Sequence, residues 1–225
     1  MTGLRGRIPY YTPETVRCPR PRRYLDPHAP GGVRLERCHT NRCGFCGQQR
    51  ILETVGAMAM APIVQAAWVS WPGAIEDVEA VAVQLRRGVR KTVARLSIAG
   101  AWAIELSPGG RPHAHVVTRG RPVQGWVFER ACRRAGLGVA SIESVQVQPW
   151  PACRYLLKSG IASQGESTEE ARARLEVFLG LNAGRLVQTQ GRFWRDPSGR
   201  PLANVVVARR LARRLRLDEG EQSHG

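Results

Sequence analysis

The chain has 225 residues, 43% of them hydrophobic, and a mean hydropathy of −0.29, enough to bury one sizeable core with an appendage or two small ones. No run approaches the roughly 20 apolar residues needed to cross a bilayer, and Arg5, Arg7 and the early prolines leave no apolar signal-peptide core, so the cytoplasm is the expected compartment. A net charge of +16 and a pI near 11.1 call for a polyanionic partner, of which nucleic acid is the commonest; the spread of arginines over the whole chain disfavours a membrane surface, but charge alone does not separate DNA from structural RNA.

Residues 1–60 are rich in Pro, Arg and Cys with little periodicity. They read as a loop-rich module that needs an external staple. Cys38, Cys43 and Cys46 follow a C-x4-C-x2-C spacing. The short interval lets two thiolates reach one ion, and Gly44 permits the tight turn between them. In a cytosolic protein such a cluster reads as a structural Zn²⁺ site rather than a disulfide framework. Cys18 is the preferred fourth ligand, with His28 and His39 as alternatives; His39 adjoins Cys38, so its side chain should diverge. Cys132 and Cys153 read as packing residues.

Ile63 to Ser70, an apolar run between Pro62 and Pro72, predicts a buried strand. Val78, Val81, Ala82, Leu85, Val89, Val93 and Leu96 then recur at helical spacing, with acids at the start and Arg86, Arg87, Arg90 and Lys91 later. Residues 101–107 and 113–119 predict two strands around the turn 108–112. A helix over 124–135, a strand near 139–147, a short helix over 152–158 and a helix over 169–181 follow. The last predicted helix, 204–217, carries Arg209, Arg210, Arg213 and Arg214 on one face, suited equally to water or to phosphate. The tail after Asp218 reads as disordered. The resulting division is a cysteine module over 1–60, a core over 61–200, and a basic helix with its tail over 201–225.

Residues two apart on a strand share a face, so His113 and His115 project side by side. With 108–112 as the loop, Ser107 falls opposite His113 and Glu105 opposite His115, on the same face. Two imidazoles and a carboxylate make a metal site with open positions, suited to Mg²⁺, Mn²⁺, Zn²⁺ or Fe²⁺. A register slip of one residue would turn Glu105 away. Such sets also occur in iron oxygenases and zinc hydrolases.

Tyr155 and Lys158 stand three residues apart, on one face if the segment is helical. A phenol is a weak nucleophile that needs a phosphate already neutralised by a metal, and a lysine nearby steadies the developing charge. Scarcity sharpens the pair: Lys91 and Lys158 are the only lysines among 34 basic residues, and Tyr155 is the only tyrosine after Tyr24. A core tyrosine with a snorkelling lysine is the structural alternative.

Taken together, these segments resemble the rolling-circle replication initiators of small bacterial plasmids and phages, within the HUH endonucleases. Trp68-Val-Ser-Trp71-Pro72 is similar to a degenerate first motif. Glu105 through Pro112-His113-Ala-His115 resembles the metal-binding second, and Gln148 through Arg154-Tyr155-Leu-Leu-Lys158 the third. Leu181-Asn-Ala-Gly-Arg185 through Gly191-Arg192-Phe193 is similar to a recurring Gly-Arg and Gly-aromatic segment. The resemblance spans about residues 34–195, with the motifs in the family's order. It implies an α+β fold with a five-stranded antiparallel sheet flanked by helices, the histidines on a central strand and the tyrosine on an adjacent helix. It also implies Mg²⁺- or Mn²⁺-assisted nicking of single-stranded or hairpin origin DNA, a 5′-phosphotyrosine at Tyr155 and a free 3′-hydroxyl. Arg154, Arg185, Arg192, Arg209 and Arg213 are the candidate DNA contacts, and a host helicase, a DNA polymerase and a second protomer are the candidate partners.

Two departures stand out. No second tyrosine is placed to alternate with Tyr155, and Pro151 occupies the position where some relatives carry a water-activating glutamate. Termination is thus the step the motifs do not supply. An HUH transposase would share the chemistry; a zinc-stabilised nucleic-acid-binding protein without catalysis would leave the histidines structural; a basic metal hydrolase or oxygenase would leave Tyr155 and Lys158 unexplained.

Overall fold

The computed structural model describes residues 22–25, 33–36, 43–59, 61–145, 149–163, 165–195, 198 and 200. A two-stranded antiparallel ribbon, β1 (Arg22–Leu25) and β2 (Val33–Glu36), precedes helix α1 (Gly44–Ala59). The main sheet consists of β3 (Ile63–Ser70), β4 (Ala99–Leu106), β5 (Pro112–Arg119), β6 (Ala140–Ser144) and β7 (Gln188–Gln190), all antiparallel, in the order β6-β3-β5-β4-β7. Helices α2 (Val78–Arg95), α3 (Gly125–Arg134), α4 (Pro149–Leu156) and α5 (Thr168–Leu181) connect the strands, and a 3₁₀ turn, Lys158–Gly160, follows α4. The chain is thus α+β, as expected, with β5 in the centre.

Strand alternation divides the core in two. Ala67, Val69, Trp102, Ile104, Ala114 and Val116 pack with Val81, Leu85, Val89 and Val93 of α2 and with Phe128 and Cys132 of α3. The opposite parity, Ala101, Ala103 and Val117, packs with Ile51, Val55 and Met58 of α1, Leu156 of α4, and Leu175 and Phe178 of α5. Both faces of β4 and β5 are therefore covered, which is why β4 reads as a near-continuous apolar run. The three polar side chains Glu105, His113 and His115 lie buried within that cover.

Most predicted elements fall within a few residues of their expected bounds. Residues 1–60 differ most, because α1 is a 16-residue helix whose Ile51, Val55 and Met58 are fully buried. Its apolar residues repeat at four and three, a pattern masked by the Pro- and Arg-rich stretch before it. The predicted C-terminal helix, with Arg209 and Arg213, and the tail beyond it lie outside the described residues, as do Cys18, Cys38, His28 and His39. Among the described residues no helix is long and apolar enough to cross a membrane.

Two buried amides fix the surroundings of the polar cluster. Strand β7 pairs with β4 only over Gly100–Trp102, so Ile104 would otherwise present unpaired backbone groups. Asn182, with no solvent exposure, takes them up: its Nδ2 donates to Ile104 O at 2.8 Å and its Oδ1 accepts from Ile104 N at 2.8 Å. Arg86 of α2 donates to Leu181 O, holding the end of α5 in the same corner. Across the face, Gln48 of α1 donates to Gly160 O at 2.7 Å and accepts from Ala162 N at 2.9 Å. A Cβ at Gly160 would come within 3.0 Å of Ile51 and 3.1 Å of Phe178, so the 3₁₀ turn is seated directly on α1 and α5.

Replacing Asn182 with alanine leaves the N–H and C=O of Ile104 buried and unpaired. Urea denaturation of Asn182→Ala should show a loss of about 2–4 kcal/mol. A loss within the error of the titration would contradict this role.

Candidate metal centre

The β4–β5 connection runs from Ser107 to Arg111, one residue earlier at each end than the expected loop. Ser107 N donates to Arg111 O at 2.9 Å, Gly110 N to Ser107 O at 2.8 Å and Arg111 N to Ser107 Oγ at 3.1 Å, so the serine closes the turn at both levels. Pro112, lacking an N–H, opens β5. The register is therefore Glu105 opposite His113 and Ala103 opposite His115, two residues from the expected pairing. A slip of two preserves the face, so the three side chains still converge.

Their ligand atoms all lie within 4.8 Å of one another. Glu105 Oε1 is 2.5 Å from His115 Nε2 and 3.2 Å from His113 Nε2, and the two Nε2 atoms are 3.0 Å apart. His113 Nδ1 lies 3.3 Å from Arg111 O. A carbonyl only accepts, so the tautomer with its proton on Nδ1 donates there and leaves the Nε2 lone pair for a cation, whereas the other tautomer donates from Nε2 to Glu105. Two imidazole nitrogens and a carboxylate oxygen crowded this closely could hold a divalent cation, with the His113 ring positioned through its second nitrogen against Arg111 O.

Charge in the cluster is tightly managed. Burial alone would raise the Glu105 pKa, but hydrogen bonding with His113, His115 and Ser159 outweighs it and holds the carboxyl well below its usual range. Ser159 Oγ donates to Glu105 Oε2, leaving Oε1 to face the histidines and Lys158 Nζ at 3.1 Å. The His115 pKa is lowered, first by burial and further by the charges of His113 and Lys158, against the pull of Glu105. Lys158 is shifted up: contacts with Tyr155 and Glu105 overcome the effect of its burial. The cluster thus holds an ionised carboxylate, a His115 imidazole pushed towards its neutral form and an ammonium.

Tyr155 leaves its ring over half exposed at 53%, yet it meets His115 edge to face, with centroids 4.6 Å apart and planes at 84°. Lys158 Nζ sits 3.6 Å from the Tyr155 ring centroid. The pair is not on one regular helix: α4 ends at Leu156 and Lys158 opens the 3₁₀ turn. The three-residue offset survives that change because both helix types return to the same side in about one turn. Pro149 and Pro151 occupy the first turn of α4, where a missing N–H costs nothing. Trp68 of β3 pairs with His115 in the ladder and places its ring 6.1 Å from that of His113, 37% exposed.

The remaining sequence candidates scatter. Arg154 is exposed beside Tyr155, and Arg185 is exposed in the turn between α5 and β7. Arg192 lies beyond β7, beside Ala99 and Arg119 at the far end of the β4–β5 ladder. Of the cysteine cluster, Cys43 and Cys46 are described, both buried at the start of α1. Cys132 and Cys153 are buried packing residues, their thiols pushed up to about 11 and about 12 by burial. Ser159, Gln48 and Asn182 are the residues sequence reasoning missed. Ser159 adjoins Lys158 and Asn182 sits in the Gly-Arg segment, but only the fold shows what they hold.

Ser159→Ala should weaken Mn²⁺ binding about 10-fold in a calorimetric titration, because the carboxylate loses the partner that orients it. An unchanged affinity would remove Ser159 from the site. No protein-family model, no curated protein and no solved structure matches the chain, and the Glu105, His113 and His115 geometry stands on its own.

Proposed function

We propose that this protein is a metal-dependent DNA-nicking and joining enzyme of the HUH class that acts as a rolling-circle replication initiator. One observation carries the proposal: a Glu-His-His donor set with a half-exposed phenol packed on one histidine and an ammonium touching both phenol and carboxylate. A hydrolase using water has no need of Tyr155, and a purely structural cluster has no need of an exposed ring above it. The charge of +16 supplies the affinity for a polyanion.

Glu105, His113 and His115 fit Mg²⁺ or Mn²⁺, which when bound neutralises a phosphodiester and polarises it for attack. The Tyr155 oxygen attacks the phosphorus. A Tyr–O–P bond forms, the P–O3′ bond breaks, and the proton lost by the phenol is balanced by one gained at the 3′-oxygen. Lys158 is the chain's own positive charge nearest the nucleophile and steadies the phosphate. Trp68 offers a ring on which a base beside the scissile phosphate stacks. Because one phosphodiester replaces another, attack by a 3′-hydroxyl on the phosphotyrosine rejoins the strand. The substrate is single-stranded or hairpin origin DNA, and closure of a replication round falls to a second protomer, since Pro151 is no base.

With Mn²⁺ or Mg²⁺ the protein should cleave a cognate single-stranded oligonucleotide and remain attached to its 5′ end. Tyr155→Phe should lose the adduct, visible as a gel shift under denaturing conditions, while retaining DNA affinity. An adduct persisting in that variant would sink the nucleophile assignment.

We also propose that Cys43 and Cys46, with Cys38 and Cys18, hold a structural Zn²⁺. The support is local: both thiols are buried, and Cys46 N donates to Cys43 Sγ at 3.5 Å, the contact that favours a thiolate at the turn of a knuckle. Elemental analysis of protein dialysed against EDTA should find one zinc per chain, and a folded, zinc-free protein would overturn the site.

A further inference from the structure

The main sheet ends on one side in β7, three residues long, and on the other in β6, five residues without a proline or a basic residue. Among the described residues β6 pairs with β3 alone. Val145 N donates to Val64 O at 3.0 Å and Val139 O accepts from Ser70 N at 2.8 Å, so the odd-numbered residues of this segment turn their backbone groups towards β3. By alternation the N–H and C=O of Ala140, Ile142 and Ser144 point away from it. Brevity, lysine, proline and bulges are the usual protection of such an edge; β7 has the first, and β6 has none of them between Ala140 and Ser144.

Charge sets this edge apart. In a chain of net charge +16, no arginine or lysine lies between Arg134 and Arg154 or between Arg50 and Arg86, the spans that hold β6 and its neighbour β3. Two copies of so basic a chain repel over most of their surface and approach with least repulsion here. The edge is also flanked by apolar surface. Val139, just before β6, is 67% exposed, and Trp126 of α3, the helix packed on β6, is 62% exposed. These are the two most exposed large hydrophobic side chains among the described residues.

We propose that β6 pairs antiparallel with β6 of a second copy of this chain, about a two-fold axis at Ile142, and so joins two five-stranded sheets into one. Ile142 then faces the partner's Ile142 and Ala140 faces the partner's Ser144, so every outward N–H and C=O of both strands is bonded. Neighbouring registers leave outward groups at one end unpaired, and the one centred on Glu143 sets two carboxylates face to face. In the chosen register Ser141 stands opposite the partner's Glu143, both on an exposed face. Both metal centres open on the same side of the joined sheet, which gives a place to the second protomer that closure of a replication round calls for. That consequence alone rests on the nicking reading; the pairing itself does not.

The test is sedimentation equilibrium of the full chain without DNA, where the wild type should show a monomer–dimer equilibrium in the micromolar range. Ser141→Lys sets an ammonium opposite the partner's Glu143 twice in each dimer and should tighten the dimer about five-fold. Ser141→Lys combined with Glu143→Lys sets ammonium against ammonium and should weaken it below the wild type. Ser144→Pro removes one outward N–H from each strand and should weaken the dimer about tenfold while the circular dichroism spectrum is kept. A wild type that stays monomeric through that range overturns the proposal, as does a dimer indifferent to the lysine variants or one weakened by Ser141→Lys alone. Should Ser144→Pro misfold, the lysine variants decide, since both positions are exposed.

Discussion

The structure is organised around a carboxylate with no exposure to solvent. Taking a lone carboxylate out of water costs several kcal/mol even after relaxation, so Glu105 persists as an ion only because each oxygen is engaged. Oε2 accepts from Ser159, while Oε1 faces two imidazole nitrogens and the Lys158 ammonium within 3.2 Å. No apolar substitution would keep these groups together, since each exists in this position because of the others. That mutual engagement leaves Glu105, His113 and His115 as a group that could hold a divalent cation.

The cluster draws on distant parts of the chain. Strands β4 and β5 bring the ligands to one face, but the lysine and serine arrive on a 3₁₀ turn whose backbone is clamped by Gln48 of α1 and packed against Ile51 and Phe178. Asn182, after α5, completes the backbone pairing of Ile104, the residue before Glu105. The helix that begins just after Cys43 and carries Cys46 also carries Gln48 and Ile51, against which Gly160 of the 3₁₀ turn is seated. Disturbance at the start of α1 has a short mechanical route to the carboxylate.

How much of this was legible in the sequence depended on whether the signal was local. The His-x-His pair needs only strand periodicity, so its shared face was readable. The register was not, because a proline-glycine turn admits loops offset by one residue at each end, and Ser107 rather than Pro108 closes it. Glu105 kept its face because the error was two residues rather than one. Tyr155 and Lys158 were singled out by scarcity, although the break between α4 and the 3₁₀ turn was invisible in an apolar Leu-Leu step. Helix α1 was obscured by its Pro- and Arg-rich approach. Gln48, Ser159 and Asn182 act over separations of 54 to 114 residues, and no local pattern marks a side chain whose partners are that remote.

The central claim is that Glu105, His113 and His115 are a metal centre facing Tyr155, and it is most directly tested by anomalous diffraction from crystals grown with Mn²⁺. The account predicts one strong anomalous peak bonded at about 2.1–2.3 Å to Glu105 Oε1, His113 Nε2 and His115 Nε2, on the side of the cluster open to Tyr155. A saturated crystal with no peak there, or with manganese held by other residues while the three side chains keep their direct contacts, would contradict it.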